Sequence, residues 1–139
     1  MFKQKIFIAS FIVLIIVAVS NYAGIKYGLY WTYRWFDIPV HALGGLWVSL
    51  LFLSAYPYLQ KVSNKLDSRK VLQSLLIVIL AVTISWEIFE LAIGSVFPGQ
   101  GLTYWIDTIT DIINAFIGSI VGYAFYIIEK RNNTKENKL

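Results

Sequence analysis

Hydrophobic positions in this chain gather into four long runs, at about residues 6–23, 37–60, 71–97 and 107–128. Each is long enough to cross a bilayer as an α-helix. The segments between them differ in kind. Residues 24–36 carry Tyr27, Tyr30, Trp31, Tyr33, Trp35 and Phe36, with Lys26 and Arg34 as the only bases. Such aromatic density suits the membrane–water boundary and predicts a short interfacial helix there. Residues 61–70 form a basic loop around Asp67, and Pro98-Gly99-Gln100-Gly101 breaks the third run from the fourth. Tyr104-Trp105 is a second interfacial anchor. Residues 130–139 are polar and predict a disordered tail.

The fourth run is patterned unlike a plain membrane span. At 100° per residue, Asp107, Asp111, Asn114 and Gly118 fall within about 60° of one another, while Ile, Phe and Ala fill the other faces. The second run opens on Asp37 and His41, one helical turn apart, with Gly44 and Gly45 on or near the same side. The third carries Glu87 and Glu90 three residues apart, on the side shared by Thr83 and Gly94. An ionisable group inside a span costs roughly 2.5–3.5 kcal/mol on insertion scales, so it needs a partner or a task.

Composition strengthens this reading. The 139 residues are 58% hydrophobic and 14% charged, too apolar for a soluble domain of this size. The class expected is all-α: a polytopic four-transmembrane-helix bundle forming one membrane domain over residues 1–139. There is no cysteine, so disulfides and thiolate metal sites are ruled out. A net charge of +4, scattered along the chain, excludes nucleic-acid binding and acts as a topology signal. Ten Lys and Arg flank the ends of the chain and the loop after the second run, against two after the first run and none after the third. Both termini are therefore expected in the cytoplasm of a bacterial inner membrane. The first run, preceded by Lys3 and Lys5, also has the outline of a signal peptide ending in Ala18-Val19-Ser20. A retained helix is the reading adopted, and removing it would leave the rest oriented the same way.

With that topology, Asp37, His41, Glu87, Glu90, Asp107, Asp111 and Asn114 all fall within about 15 Å of the outer surface at about 1.5 Å per residue. Five carboxylates and one imidazole cannot all be charged and unpaired in a low-dielectric layer. Arg34 is the one nearby base, and it cannot balance five acids. Either protons are shared or a divalent cation sits among them. An oxygen-rich set with one imidazole suits Mg, Mn or Ca, with Zn or Fe admitted through His41. The candidate ligands are Glu87, Glu90, His41, Asp111, Asp107 and Asp37. Glu87, His41 and Asp111 are the catalytic candidates, with Asp37 orienting His41. Asn114 and Arg34 are candidates for substrate or supporting contacts. Blander roles compete at several positions: Asp37 and Asp107 also suit helix-start acids, His41 a structural histidine, and Asn114 interhelical hydrogen bonding.

Asp37-Ile38-Pro39-Val40-His41 followed by Gly45, then Glu87-Ile88-Phe89-Glu90, then Asp107, Asp111, Asn114 and Gly118 resemble the motifs of VanZ-like membrane proteins. They are also similar to those of the YjdF-like group of bacterial inner-membrane proteins. The resemblance spans about residues 34–122. Glu90 departs from it, standing where VanZ-like chains often have Gln, and YjdF-like chains are usually longer. It implies a small multi-pass bacterial protein. Through the teicoplanin resistance associated with VanZ-like members, it also implies a link to the outer face of the cell envelope and to antibiotic resistance. Three functions follow as expectations. The first is a cation-dependent protein acting on a lipid or lipid-linked substrate, by hydrolysis or group transfer if it is an enzyme. The second is a non-catalytic, metal-stabilised binder of a lipid-linked ligand or glycopeptide antibiotic. The third is a proton- or ion-coupled transporter, for which a homo-oligomer would have to complete the path.

Overall fold

The computed structural model describes residues 2–33, 35–59, 68–93 and 101–136. They form five helices: α1 (Phe2–Lys26), α2 (Leu29–Thr32), α3 (Asp37–Leu59), α4 (Ser68–Ile93) and α5 (Leu102–Glu136). Four of these, all but α2, are long and apolar enough to cross a membrane. The protein is an all-α, polytopic membrane protein. The basic loop at 61–67, the 94–100 break and Arg34 lie outside the described residues.

Local sequence explains most helix ends. Gly28 and Gly101 take the left-handed backbone conformation, with φ of 65° and 62°, and so stop α1 and precede α5. Pro39 stands in the first turn of α3, where a missing N–H leaves no intrahelical bond unmade. The interfacial element is shorter than the aromatic pattern suggests. α1 runs on to Lys26, and α2 is a single turn held by the Trp31 and Thr32 amides donating to the Gly28 carbonyl. The last helix is longer than its apolar run. It begins at Leu102 rather than Asp107 and continues to Glu136, through residues whose polarity had suggested a disordered tail. One tertiary contact supports that extension, Glu129 meeting Lys5 of α1 at 3.5 Å, and within the helix the Lys130 ammonium lies 6.0 Å from the centre of the Tyr126 ring one turn back.

The Lys5–Glu129 pair also puts the start of α1 and the end of α5 at one end of the bundle, called here the terminal end. The other end is the acidic end. α3 sits in the middle, packed along both α1 and α5. α3 and α5 run parallel, because their contacts advance together: His41 with Asp111, Gly45 with Ala115, Ser49 with Gly122. A Cβ on Gly45 would collide with the Ala115 carbonyl, and one on Gly118 with the Ala42 carbonyl and the Leu46 amide. One on Gly122 would strike the Ser49 hydroxyl. Gly118-Ser119-Ile120-Val121-Gly122 is thus a small-xxx-small seam that lets two helix backbones touch. Gly44 is different; nothing lies within 4 Å of where its Cβ would be.

The apolar core lies at the terminal end. Ile6, Leu50, Leu53, Tyr56, Val71, Leu75, Ile79 and Tyr126 form one buried cluster drawn from all four spans. The buried serines there need no outside partner. Ser10, Ser49, Ser54 and Ser119 each donate to a carbonyl three residues back in their own helix. The outward faces carry Ile77, Ile88, Ile120 and many similar side chains, the surface that a bilayer would cover.

Candidate metal centre

At the acidic end, α3 and α5 bring three of the titratable candidates together. His41 Nε2 lies 3.3 Å from Asp37 Oδ1, one turn back on α3, and 3.7 Å from Asp111 Oδ1 on α5. One ligand atom from each of the three residues falls within 4.8 Å of the other two. Ligand atoms about 2.1 Å from a common cation, at octahedral or tetrahedral angles, stand about 3.0–3.4 Å apart. The 3.3 Å spacing lies in that range, the 3.7 Å spacing is a few tenths longer, and the two carboxylates are within 4.8 Å of each other, so a cation would draw them in. The His41 and Asp111 side chains are 10% and 6% exposed, whereas Asp37 at 30% stands nearer the mouth. The seam below holds the arrangement rigidly, since His41 is one turn from Gly45 and Asp111 one turn from Ala115.

The geometry differs in one respect from an Asp that orients a histidine from its far nitrogen. Both carboxylates face Nε2. Asp37 and Asp111 therefore share one imidazole atom, and a single N–H cannot satisfy two acids fully. A cation between them would, because two carboxylates and a neutral imidazole balance a divalent charge.

α4 adds a second set of groups. Glu87 is buried, and its Oε2 accepts a 2.8 Å hydrogen bond from the Thr108 hydroxyl of α5. Its Oε1 is buried without a partner. Glu90 is half-buried, within electrostatic reach of His41, and hydrogen-bonded to the Trp86 side chain. Asn114 lies one turn below Asp111, 9% exposed, and its amide nitrogen is buried without a partner. An unsatisfied buried polar group costs about 1–3 kcal/mol, so these two atoms mark a region built to meet something polar. Asp107 is exposed and stands outside the three-residue group, although it acts electrostatically on Asp111 and Glu87. Of the predicted site residues, Asp37, His41 and Asp111 therefore converge. The predicted ligands Glu87, Glu90 and Asp107 fall outside that 4.8 Å group: Glu87 and Glu90 lie within electrostatic reach of His41, Asn114 one turn from Asp111, and Asp107 at the exposed rim.

Two participants carried no sequence signal strong enough to single them out. Thr108 lies on the flank of the α5 stripe, about 60° from Asp111, and reads as one more neutral position. Tyr30 reads as one of many belt aromatics. In the fold its ring packs against Gly24 and Phe36, and its hydroxyl donates to Asn21 Oδ1 at 3.1 Å. Burial, with Asp37 and then Glu90 nearby, pushes its phenol up to about 12. Tyr30 thus roofs the acidic end in its neutral form.

The chain belongs to the family described as predicted membrane protein (DUF2238), which it matches over residues 3–132, a stretch that reaches into all four long helices. No curated protein and no solved structure matches it.

Proposed function

We propose that this multi-pass membrane protein binds a divalent cation at Asp37, His41 and Asp111 and presents it to a lipid or lipid-linked substrate in the outer leaflet of a bacterial inner membrane. The carrying observation is the convergence of two carboxylates and one imidazole nitrogen from two helices within 4.8 Å, inside membrane-crossing segments. The donor set favours Mg, Mn or Ca. The bias of Lys and Arg toward the terminal end supports cytoplasmic termini and so an outward acidic end. The likeness of the Asp37–His41, Glu87–Glu90 and Asp107–Gly118 segments to VanZ-like proteins supports an envelope role.

A cation there would polarise a headgroup oxygen or activate a water. Glu87 and the oxygen of Asp111 not spent on the cation are the groups able to accept a proton from it, with His41 held as a ligand, and the amide of Asn114 is free to donate to a substrate oxygen. Binding without turnover uses the same site, so hydrolysis or group transfer is the further step of this reading. Transport has less support. Below Asn114 the Gly45, Gly118 and Gly122 contacts close the space between α3 and α5, and among the described residues the buried groups beyond are apolar side chains, two tyrosines and serines bonded within their own helices.

Elemental analysis of the purified protein in mild detergent tests the reading, beside an Asp111→Asn, His41→Ala variant. About one divalent metal per chain, absent from the variant, is the expected result. A folded wild-type protein that holds no metal and takes up none from added Mn, Mg or Ca would overturn it. Turnover is then sought with lipid phosphates and lipid-linked sugars.

A further inference from the structure

The buried stripe of α4 changes chemistry halfway along its length. Val71, Leu75 and Ile79 are buried apolar residues at four-residue steps; the next two steps are Thr83 and Glu87. Thr83 spends its hydroxyl on the Ile79 carbonyl of its own helix. Past Ile79 the flanking side chains point outward: Leu80, Val82, Ile84, Trp86, Ile88 and Phe89 are all exposed. The acidic half of α4 thus has no buried apolar side chain against α3 and α5 among the described residues. It is joined to them by a carboxylate with one oxygen engaged and one not.

That carboxylate stands outside the 4.8 Å group of Asp37, His41 and Asp111, but its bond to Thr108 holds it beside the turn of α5 that carries Asp111, within electrostatic reach of His41, Asp37 and Asp107. Asn114, on the same flank of α5 as Asp107 and one turn from Asp111, leaves a second buried polar atom unpartnered. We infer that Thr108 is a positioning residue, holding Glu87 by Oε2 beside the Asp37–His41–Asp111 group, and that a bound divalent cation draws in Oε1 as a further ligand and thereby ties α4 to the α3–α5 pair. This rests on the cation reading proposed above and extends it. The site draws on three helices, and its occupancy governs how firmly the acidic half of α4 is docked. Carboxylate ligands are commonly held by a hydrogen bond from a neighbouring side chain, and loss of that neighbour typically weakens metal affinity ten- to hundredfold.

The test measures Mn2+ affinity by electron paramagnetic resonance on the full-length protein in detergent, with amide hydrogen exchange over residues 80–92 in the presence and absence of Mn2+. Wild type, Thr108→Ser, Thr108→Val and Glu87→Gln are compared. In wild type and Thr108→Ser, Mn2+ is expected to slow exchange in this segment. Thr108→Val is expected to bind about ten- to hundredfold more weakly, with that protection lost. Glu87→Gln keeps an acceptor for Thr108 and lacks the ligating charge. It is expected to lose affinity and protection too, and it decides the matter should Thr108→Val fail to fold. Mn2+ bound by Thr108→Val or Glu87→Gln as tightly as by wild type, with the same protection, overturns the inference and leaves the three-residue site standing. Wild type that binds no Mn2+ overturns both.

Discussion

The two ends of the bundle use the same helices for different purposes. At the terminal end, Ile6, Leu53, Leu75 and Ile79 are each 1% exposed and pack against one another. At the acidic end, buried Val40 and Tyr104 are joined by the polar Glu87, Asp111 and Asn114, at 7%, 4% and 9%. Apolar side chains satisfy each other simply by close packing, and buried serines close their bonds within their own helices. The acids cannot do this. Two of them share one imidazole nitrogen, and a third keeps an oxygen without a partner. An end held by mutually satisfied groups supplies stability. An end left unsatisfied stores a capacity to bind, supported by the stability of the other. Between them runs the glycine seam, which belongs to both: it closes the α3–α5 gap above the core and sets the spacing of His41 and Asp111.

This contrast can be broken most severely at the seam. Gly118→Leu would drive a side chain into the Ala42 carbonyl and the Leu46 amide, backbone groups that cannot step aside. Overpacking of this sort costs about 1–3 kcal/mol where neighbours can shift, and more where they cannot. Loss of folded protein after solubilisation is expected by size-exclusion chromatography, whereas Gly44→Ala, facing open space, should yield normal amounts. A smaller loss should follow from emptying the core. Leu53→Ala should destabilise by about 2–5 kcal/mol in detergent unfolding, with cation affinity retained in the folded fraction. The least effect on stability should come from the acidic end. Asp111→Asn replaces a buried carboxyl in a crowded site with an amide of nearly the same shape. The protein without cation should unfold no earlier than wild type, and the stabilisation by added Mn2+ should disappear. A large loss of stability in cation-free Asp111→Asn would instead make the cluster part of the scaffold.

The fold was legible because its signals are local and strong. Four apolar runs, Gly101 in the break before the last run, and Pro39 act through the transfer of side chains into lipid and through backbone conformation, and neither depends on what lies elsewhere in the chain. The helical continuation through residues 130–136 was not legible. Polarity argued against it, and the contact of Glu129 that supports the last turns involves Lys5, far away in sequence. At the site, periodicity placed Asp111 and Asn114 on one face and Asp37 and His41 on another. It could not show that Asp107, on the same stripe, stands at the rim. Thr108 escaped notice because its meaning comes from Glu87, 21 residues earlier on another helix.

The sequence by itself determined the number of spans, the polar stripe of α5, the gathering of acids toward one end and the chemistry a cluster of that kind can offer. These are properties of composition and helical period, the same whatever the helices touch. Only the tertiary structure decided that α3 lies parallel against α5, that Asp37 and Asp111 meet on one nitrogen of His41, and that Glu87 reaches Thr108 with an oxygen to spare. Those relations depend on a packing register between segments far apart in the chain. Gly45, Gly118 and Gly122 set that register by permitting backbone contact, and no residue read alone reveals which backbone it will touch.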